Sequence, residues 1–496
     1  MIARFLALFL ALFLAAPDAR AVPPSTSPPV TPTQTIGSKL RTLSAAAALG
    51  TRLTNTPWTA YSAWAQSTAY AQGQVVTNNG MAWVAAVAGT SAASGSGPTT
   101  ISNLATTDGT VYWQPLGKSV AIASTNDSKS PTITVSTTDP ALGNVWDLHT
   151  TTQFQSLARI YGGYYDATQT NWIKPKTFGS PTQCGSAVSL AFYSDDVKVA
   201  IQVSPQNPVM TLYIDDRYAA TVLYNGSSSQ YVKIDWSTIS AAAPHKYEMF
   251  PFSRYAWATN WGNIETTAAG SIWAPPAEND VRVVFVGDSY SAGSNISPWV
   301  PGVGFAQSIG VKLGWRDVWD MSIAGTGYLN PAGTNTTFRQ RLSDVTAAAP
   351  DVVILMLSGN DGHWNNASYT TSAVATEAAL TWTQIRAALP NAIIIQLGVV
   401  YSEAHAASDN RPMEVAVAAS AATYAASDGK FFFIPGLTNT NPIMTSTYDT
   451  SRPNTSANSS ALYLGSDSTH PNEFARDAIT SRLAREIAAR VVRVLP

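Results

Sequence analysis

Five short apolar runs after Asp280 constrain this chain more than any other feature: Val281–Val286, Val318–Met321, Val352–Leu357, Ala392–Leu397 and Phe431–Ile434. Each is nearly uninterrupted and too short for a globular helix, which suits strands buried on both faces of a sheet. Helical stretches lie between them, near Phe305–Leu313, Thr337–Ala348, Val374–Leu389 and Met413–Ala426. Strands that alternate with helices predict an α/β domain over 276–496, built on a doubly wound parallel five-stranded sheet. The last helix begins at Pro471, a residue suited to a first helical position. Ile479, Leu483, Ile487 and Val491 then form an apolar stripe opposite Arg482, Arg485 and Arg490, as a core-facing helix requires.

The texture before Asp280 is different. Between Lys118 and Pro275 apolar residues recur every second position, as in Val197, Val199, Ile201 and Val203. Leu212 and Ile214 precede an Asp215-Asp216 turn, and Val232 and Ile234 follow a Gly226-Ser-Ser-Ser loop. Period two predicts antiparallel strands, here a β-sandwich domain over 118–275, serving either as a brace or as a second sugar-facing surface. Residues 58–117 form a small aromatic β module with Trp58, Trp64, Tyr70, Trp83, Tyr112 and Trp113. These rings could be sugar-stacking platforms or the core of a module short of other large residues. Residues 22–57 read as a Pro/Ser/Thr-rich linker followed by a short helix from Leu40 to Leu53.

The first 21 residues predict secretion. Arg4 is followed by twelve apolar residues, Phe5 to Ala16, and Ala19-Arg20-Ala21 places small residues at a cleavage site, the pattern of a signal peptide. Twelve residues are too few to span a bilayer and no later apolar run is long enough, so no membrane span is expected. The mature protein is expected outside the cytoplasm, in the medium or the periplasm. A single cysteine, Cys184, excludes an intrachain disulfide framework and a cysteine-based zinc cluster. A formal net charge of −2 with only 12% charged residues gives no basic field for nucleic acid. Neither a phosphate-binding glycine loop nor a His-Glu-x-x-His helix is present, so no cofactor and no metal are implied.

The candidate chemistry lies at the carboxyl ends of the five runs, where open α/β sheets bind ligands. Gly287-Asp288-Ser289 follows the first, Ser322-Ile-Ala-Gly325 the second and Ser358-Gly359-Asn360-Asp361 the third, while Asp467-Ser-Thr-His470 precedes the final helix. Gly287-x-Ser289-x-Ser291 is not the Gly-x-Ser-x-Gly elbow of α/β-hydrolases. A serine hydroxyl needs a base to become a nucleophile, and a histidine titrating near neutrality is the side chain suited to the task. His149, His245, His363 and His405 stand in no comparable Asp-x-x-His pair. Asp288 and Asp361 read as turn-stabilising residues.

These four motifs, in this order, resemble the SGNH hydrolases, the GDSL-type esterase superfamily, over about Asp280 to Pro496. The resemblance implies a flavodoxin-like fold and a serine esterase. It assigns the nucleophile to Ser289, the base to His470, its orienting acid to Asp467 and the oxyanion donors to Gly325 and Asn360. Tyr290 and Ser322 depart from the family's usual Leu or Ile and Asn, which bears on the subfamily more than on the chemistry. The 58–117 stretch resembles short β modules found beside secreted polysaccharide enzymes and in phage tail proteins. Together these imply a secreted esterase that removes small acyl groups, acetyl above all, from carbohydrate, with the N-terminal modules holding polysaccharide. A lipase or lysophospholipase on the same scaffold, and a non-catalytic carbohydrate-binding surface protein, are the competing readings.

Overall fold

The computed structural model describes residues 36, 40, 54–57, 62–71, 74–78, 81–99, 106–118, 131–148, 154–163, 165–166, 172–175, 188–204, 209–215, 217–223, 229–238, 244–251, 260–275, 281–292, 305–333, 336–362, 366–400, 410–439, 470–471 and 473–495. The signal peptide, Cys184, Trp58, His149, His363, His405 and Asp467 lie outside them.

The C-terminal domain carries five parallel strands, β1 (Arg282–Val286), β2 (Asp317–Asp320), β3 (Val352–Met356), β4 (Ile393–Leu397) and β5 (Phe431–Ile434), in the spatial order 2-1-3-4-5. β1, β3 and β4 are buried at every position, which explains their unbroken apolar sequences. Helices α1 (Phe305–Leu313), α2 (Leu342–Ala347), α3 (Thr371–Ala388), α4 (Asn410–Ala425) and α5 (Glu473–Ile487) accompany them. The α3 entry is capped by Thr370, whose hydroxyl accepts the Ala373 N–H at 3.2 Å. Alternate strand residues face two separate cores, Val283 and Phe285 with Ile354 and Ile395 on one side, Val284 and Val286 with Val353 and Leu355 on the other. Ile479, Leu483, Ile487 and Val491 are buried in the first core, as their spacing predicts. Because β2 and β3 flank β1 on opposite sides, the chain leaves the sheet in opposite directions beyond β1, and this switch point opens the crevice.

Ahead of this domain lie two antiparallel sheets. One has Arg217–Leu223, Val209–Ile214, His245–Pro251, Ser189–Ser194 and Arg159–Tyr161 in spatial order, with Ile272–Trp273 also pairing onto Ser189–Ser194. The other has Gly143–Trp146, Asn260–Thr267, Lys198–Ser204, Gln230–Asp235 and Thr132–Ser136. Leu190, Leu212 and Met249 from the first meet Val199, Ile201, Val232 and Ile264 from the second in one core. Alternation at period two produced this, since every second residue turns inward. Most of residues 22–57, including nearly all of the expected linker and helix, lie outside the described residues. Thr54–Pro57 pairs in parallel with Arg217–Leu223 at the edge of the first sheet. Ile36 and Leu40 are helical, and both pack into the first core of the C-terminal domain.

The small module has its own sheet, and its described aromatics are mostly interior. Trp83 and Trp113 are fully buried, Tyr70 nearly so, and Trp64 packs against them. Asp108 ties the cluster together by accepting from the indoles of Trp64 at 2.7 Å and Trp113 at 3.1 Å. Trp83, Trp113 and Tyr70 are thus taken up by the module's core, while Trp64 stays partly exposed.

Candidate active site

The three strand-end loops that carry Ser289, Gly325 and Asn360 meet at the switch point. Ladder-like bonds carry the β1–β2 pairing past the strand ends: Met321 N donates to Phe285 O at 2.8 Å and Ile323 N to Gly287 O at 3.1 Å. Beyond them the chain after β1 turns sharply, with Ala292 N donating to Asp288 O at 2.9 Å. Ser289 sits in this turn, 8% exposed, so a thin opening reaches a residue otherwise enclosed. Asp288 beside it is fully buried, accepts the Tyr290 N–H at 2.9 Å and takes the Ser358 hydroxyl as donor. It is a brace for the turn, as its position in the motif suggested.

Asn360 lies in the turn after β3, opened by Ser358, whose hydroxyl accepts the Asn360 N–H at 3.1 Å. Its side-chain nitrogen lies 3.3 Å from an Asp288 carboxylate oxygen, 3.3 Å from the Thr326 carbonyl and 3.0 Å from the Ser358 hydroxyl. Carboxylate and carbonyl can only accept, so the amide nitrogen must face them, and the group is oriented as a donor. The contacts to Asp288 and Thr326 are both long for hydrogen bonds. Gly325 has φ +77°, a conformation that a side chain would strain, and a Cβ there would stand 2.9 Å from the Ala332 Cβ.

His470 arrives from the far end of the chain just before α5. Its ring packs against that of Tyr290, centroids 5.7 Å apart and planes inclined by 47°. The expected base thus reaches the residue next to the expected nucleophile, across some 180 positions of sequence. Of the other histidines, His245 is described, stacked on Trp236 at 3.9 Å and bonded through Nδ1 to Asp215 at 2.7 Å, in the antiparallel sheets.

One residue near the site had no role in the sequence reading. Arg341 is 5% exposed and donates to Met321 O at 2.7 Å and Thr326 Oγ1 at 3.0 Å, with Gly287 O at 3.5 Å and its guanidinium 5.1 Å above the Phe338 ring. A buried cation thereby joins the loops after β1 and β2. Its only sequence signal is an arginine near the start of a helical stretch, which ordinarily means a solvated face. Among the described residues no cluster of His, Cys, Asp and Glu could hold a metal ion, and no helix is long and apolar enough to cross a membrane.

Comparison with known proteins adds the family. Residues 285–476 match the GDSL-like Lipase/Acylhydrolase family. The match lies within the C-terminal domain, whose five-stranded parallel sheet fits the flavodoxin-like fold expected of it. Among solved structures, a family two carbohydrate esterase from Clostridium thermocellum in complex with cellohexaose is 15% identical, with a TM-score of 0.50 over 67% of this chain and 98% of that one. The salicylyl-acyltransferase SsfX3 from a tetracycline biosynthetic pathway is also 15% identical, with a TM-score of 0.51 over 72% of this chain and 97% of its own. An acetyl xylan esterase, Est2A, from the rumen bacterium Butyrivibrio proteoclasticus is 13% identical over 70% of this chain and 98% of that one, with a TM-score of 0.48. No curated protein sequence matches the chain.

Proposed function

We propose that the protein is a secreted serine esterase that removes small acyl groups, acetyl first among them, from carbohydrate. The observation that carries the reading is the meeting of His470 with the Ser289 turn beside an Asn360 amide oriented as a donor. In this mechanism His470 takes the Ser289 proton as Oγ attacks the ester carbonyl, and Asp467 orients the imidazole from its other nitrogen. The tetrahedral oxyanion accepts from the Ser289 and Gly325 N–H groups and from the Asn360 amide. The sugar hydroxyl departs with the proton held by His470, leaving an acyl-serine. Water, deprotonated by the same imidazole, then releases the carboxylic acid and restores Ser289.

Carbohydrate as the alcohol is supported by the likeness to an esterase crystallised with cellohexaose. A small acyl group is supported by composition, since the loops after Asn360 and Val400 are rich in Ser, Asn, Ala and Thr and would bury a fatty chain poorly. Secretion rests on the N-terminal sequence. Capture of polysaccharide by the N-terminal modules draws no support from Tyr70, Trp83 or Trp113, which are interior.

The test is mass spectrometry of acetylated polysaccharides and of a long-chain ester after incubation with the protein, with Ser289→Ala and His470→Ala as controls. Free acetate is expected, falling at least about a thousandfold in either variant with folding intact. Preference for the long-chain ester would replace this reading with the lipase. Acetate moved onto a second sugar instead of water would replace it with acyl transfer. Wild-type rates in Ser289→Ala would remove the nucleophile.

A further inference from the structure

Asp361 directly follows the proposed oxyanion donor Asn360, and its carboxylate is committed to the neighbouring loop. It is 1% exposed and accepts N–H groups from three consecutive residues, Tyr328 at 2.7 Å, Leu329 at 2.9 Å and Asn330 at 3.0 Å. Those residues follow Gly325-Thr326-Gly327, the segment that carries the other proposed donor. A Cβ at Gly327 would stand 2.3 Å from an Asp361 oxygen, so the carboxylate can approach only because that position is glycine. Two further bonds cross the same gap: Asn330 Nδ2 donates to Asn360 O at 3.3 Å, and Asn360 Nδ2 to Thr326 O at 3.3 Å. The loops after β2 and β3 are thus laced together at Asn360 itself and within a few residues of Gly325.

We infer that Asp361 is a positioning residue that sets the distance between the Gly325 N–H and the Asn360 amide, with Asn330 as its second strut. This rests on the oxyanion reading of Gly325 and Asn360. The physical reason is the narrow tolerance of such a site. Donors act on an oxyanion when they lie about 2.7–3.1 Å from it, and a misplacement of about 1 Å costs about a hundredfold. An amide at 361 would turn a donor toward N–H groups that need an acceptor, so one bond is lost and the loops part. The substrate itself never touches Asp361. Its effect should therefore appear where the oxyanion forms and not where the ground state binds.

The experiment compares Asp361→Asn, Asn330→Ala and Asn360→Ala with the wild-type full-length protein, on 4-nitrophenyl acetate and with an arylboronic acid that forms a tetrahedral adduct on Ser289. Asp361→Asn should lower kcat by roughly 10- to 100-fold with KM within about threefold, and weaken boronate binding in proportion. Asn330→Ala removes the strut together with the Ala332 N–H bond to Asn330 Oδ1 at 3.0 Å, leaves the Asp361 carboxylate bonds in place, and should lower kcat at least about threefold in a folded protein. It decides the matter if Asp361→Asn does not fold. Folded variants that keep wild-type kcat, or that lose kcat without losing boronate affinity, would overturn the inference while Asn360→Ala falls strongly. If Asn360→Ala itself keeps kcat, the oxyanion reading is what has failed, and this inference goes with it.

Discussion

A carboxylate that gives up its water must find donors or a cation, and this domain solves the problem differently at different residues. Asp317 meets Arg282 at 2.7 Å and also accepts from the Trp319 indole at 2.6 Å and from Gly162 N at 3.1 Å. Asp361 is met by three N–H dipoles, while the Asp288 charge opposes it. Burial is the largest influence and lifts its pKa from 3.8 to about 6. Well below its unfolded value of 3.8 that carboxyl is neutral in the folded and the unfolded chain alike. As pH rises the unfolded chain ionises first, so unfolding releases a proton and stability falls until the folded group also ionises near pH 6. Asn does not titrate, so the stability difference between wild type and Asp361→Asn isolates this group. It should shift against the wild type by on the order of 2 kcal/mol between pH 4 and pH 7, then stay flat. Urea midpoints across that range check it, and a shift in favour of the wild type would show that the three N–H groups outweigh burial.

At the scale of elements, strands and helices were legible where the cause is local. Each of the five parallel strands falls within a residue of its apolar run, and α1 occupies the expected Phe305–Leu313. Thr54–Pro57 was not legible, because Thr-Asn-Thr-Pro has no alternation and becomes a strand only by pairing with residues some 160 positions away. The aromatic module left its two meanings open for a related reason: ring content is visible in sequence, whereas burial depends on what closes over the rings. In the site, motif residues were readable but their lacing was not, since Asp361 and Tyr328 are 33 positions apart. The clearest case is Glu414 on α4. It is fully buried and accepts from Val399 N at 2.7 Å, Gly436 N at 3.0 Å, Leu437 N at 3.0 Å and both Thr438 N and Oγ1. One helix side chain thereby closes the ends of β4 and β5. Glu414→Gln keeps the shape but sets an NH2 against N–H groups, and should cost about 2–4 kcal/mol in denaturant unfolding. A loss below about 0.5 kcal/mol would mean that the loops find other acceptors.

At the scale of the whole molecule, several described parts of the N-terminal region join the body that carries the site. Ile36 and Leu40 fill the core beneath β1 and β3, and Thr54–Pro57 extends the first antiparallel sheet. Strand Val111–Lys118 of the small module packs along α5, the helix that follows His470. Between the antiparallel sheets and the α/β domain, Glu248 is 1% exposed, paired with Arg316 and lying 3.4 Å from Lys246. A tethered capture module would need none of these contacts, because tethering acts through local concentration alone. The two possibilities part on deletion of residues 22–117. If the region is structural, the truncated protein loses core side chains and an edge strand, so its unfolding midpoint drops and hydrolysis of small and polymeric acetates falls together. Leu40→Ala is the milder version, expected to cost about 2–4 kcal/mol and to lower both rates equally at temperatures near the new midpoint. A truncated protein with an unchanged midpoint and full activity on 4-nitrophenyl acetate, but weakened action on acetylated polysaccharide, would instead make the region an appendage that captures substrate.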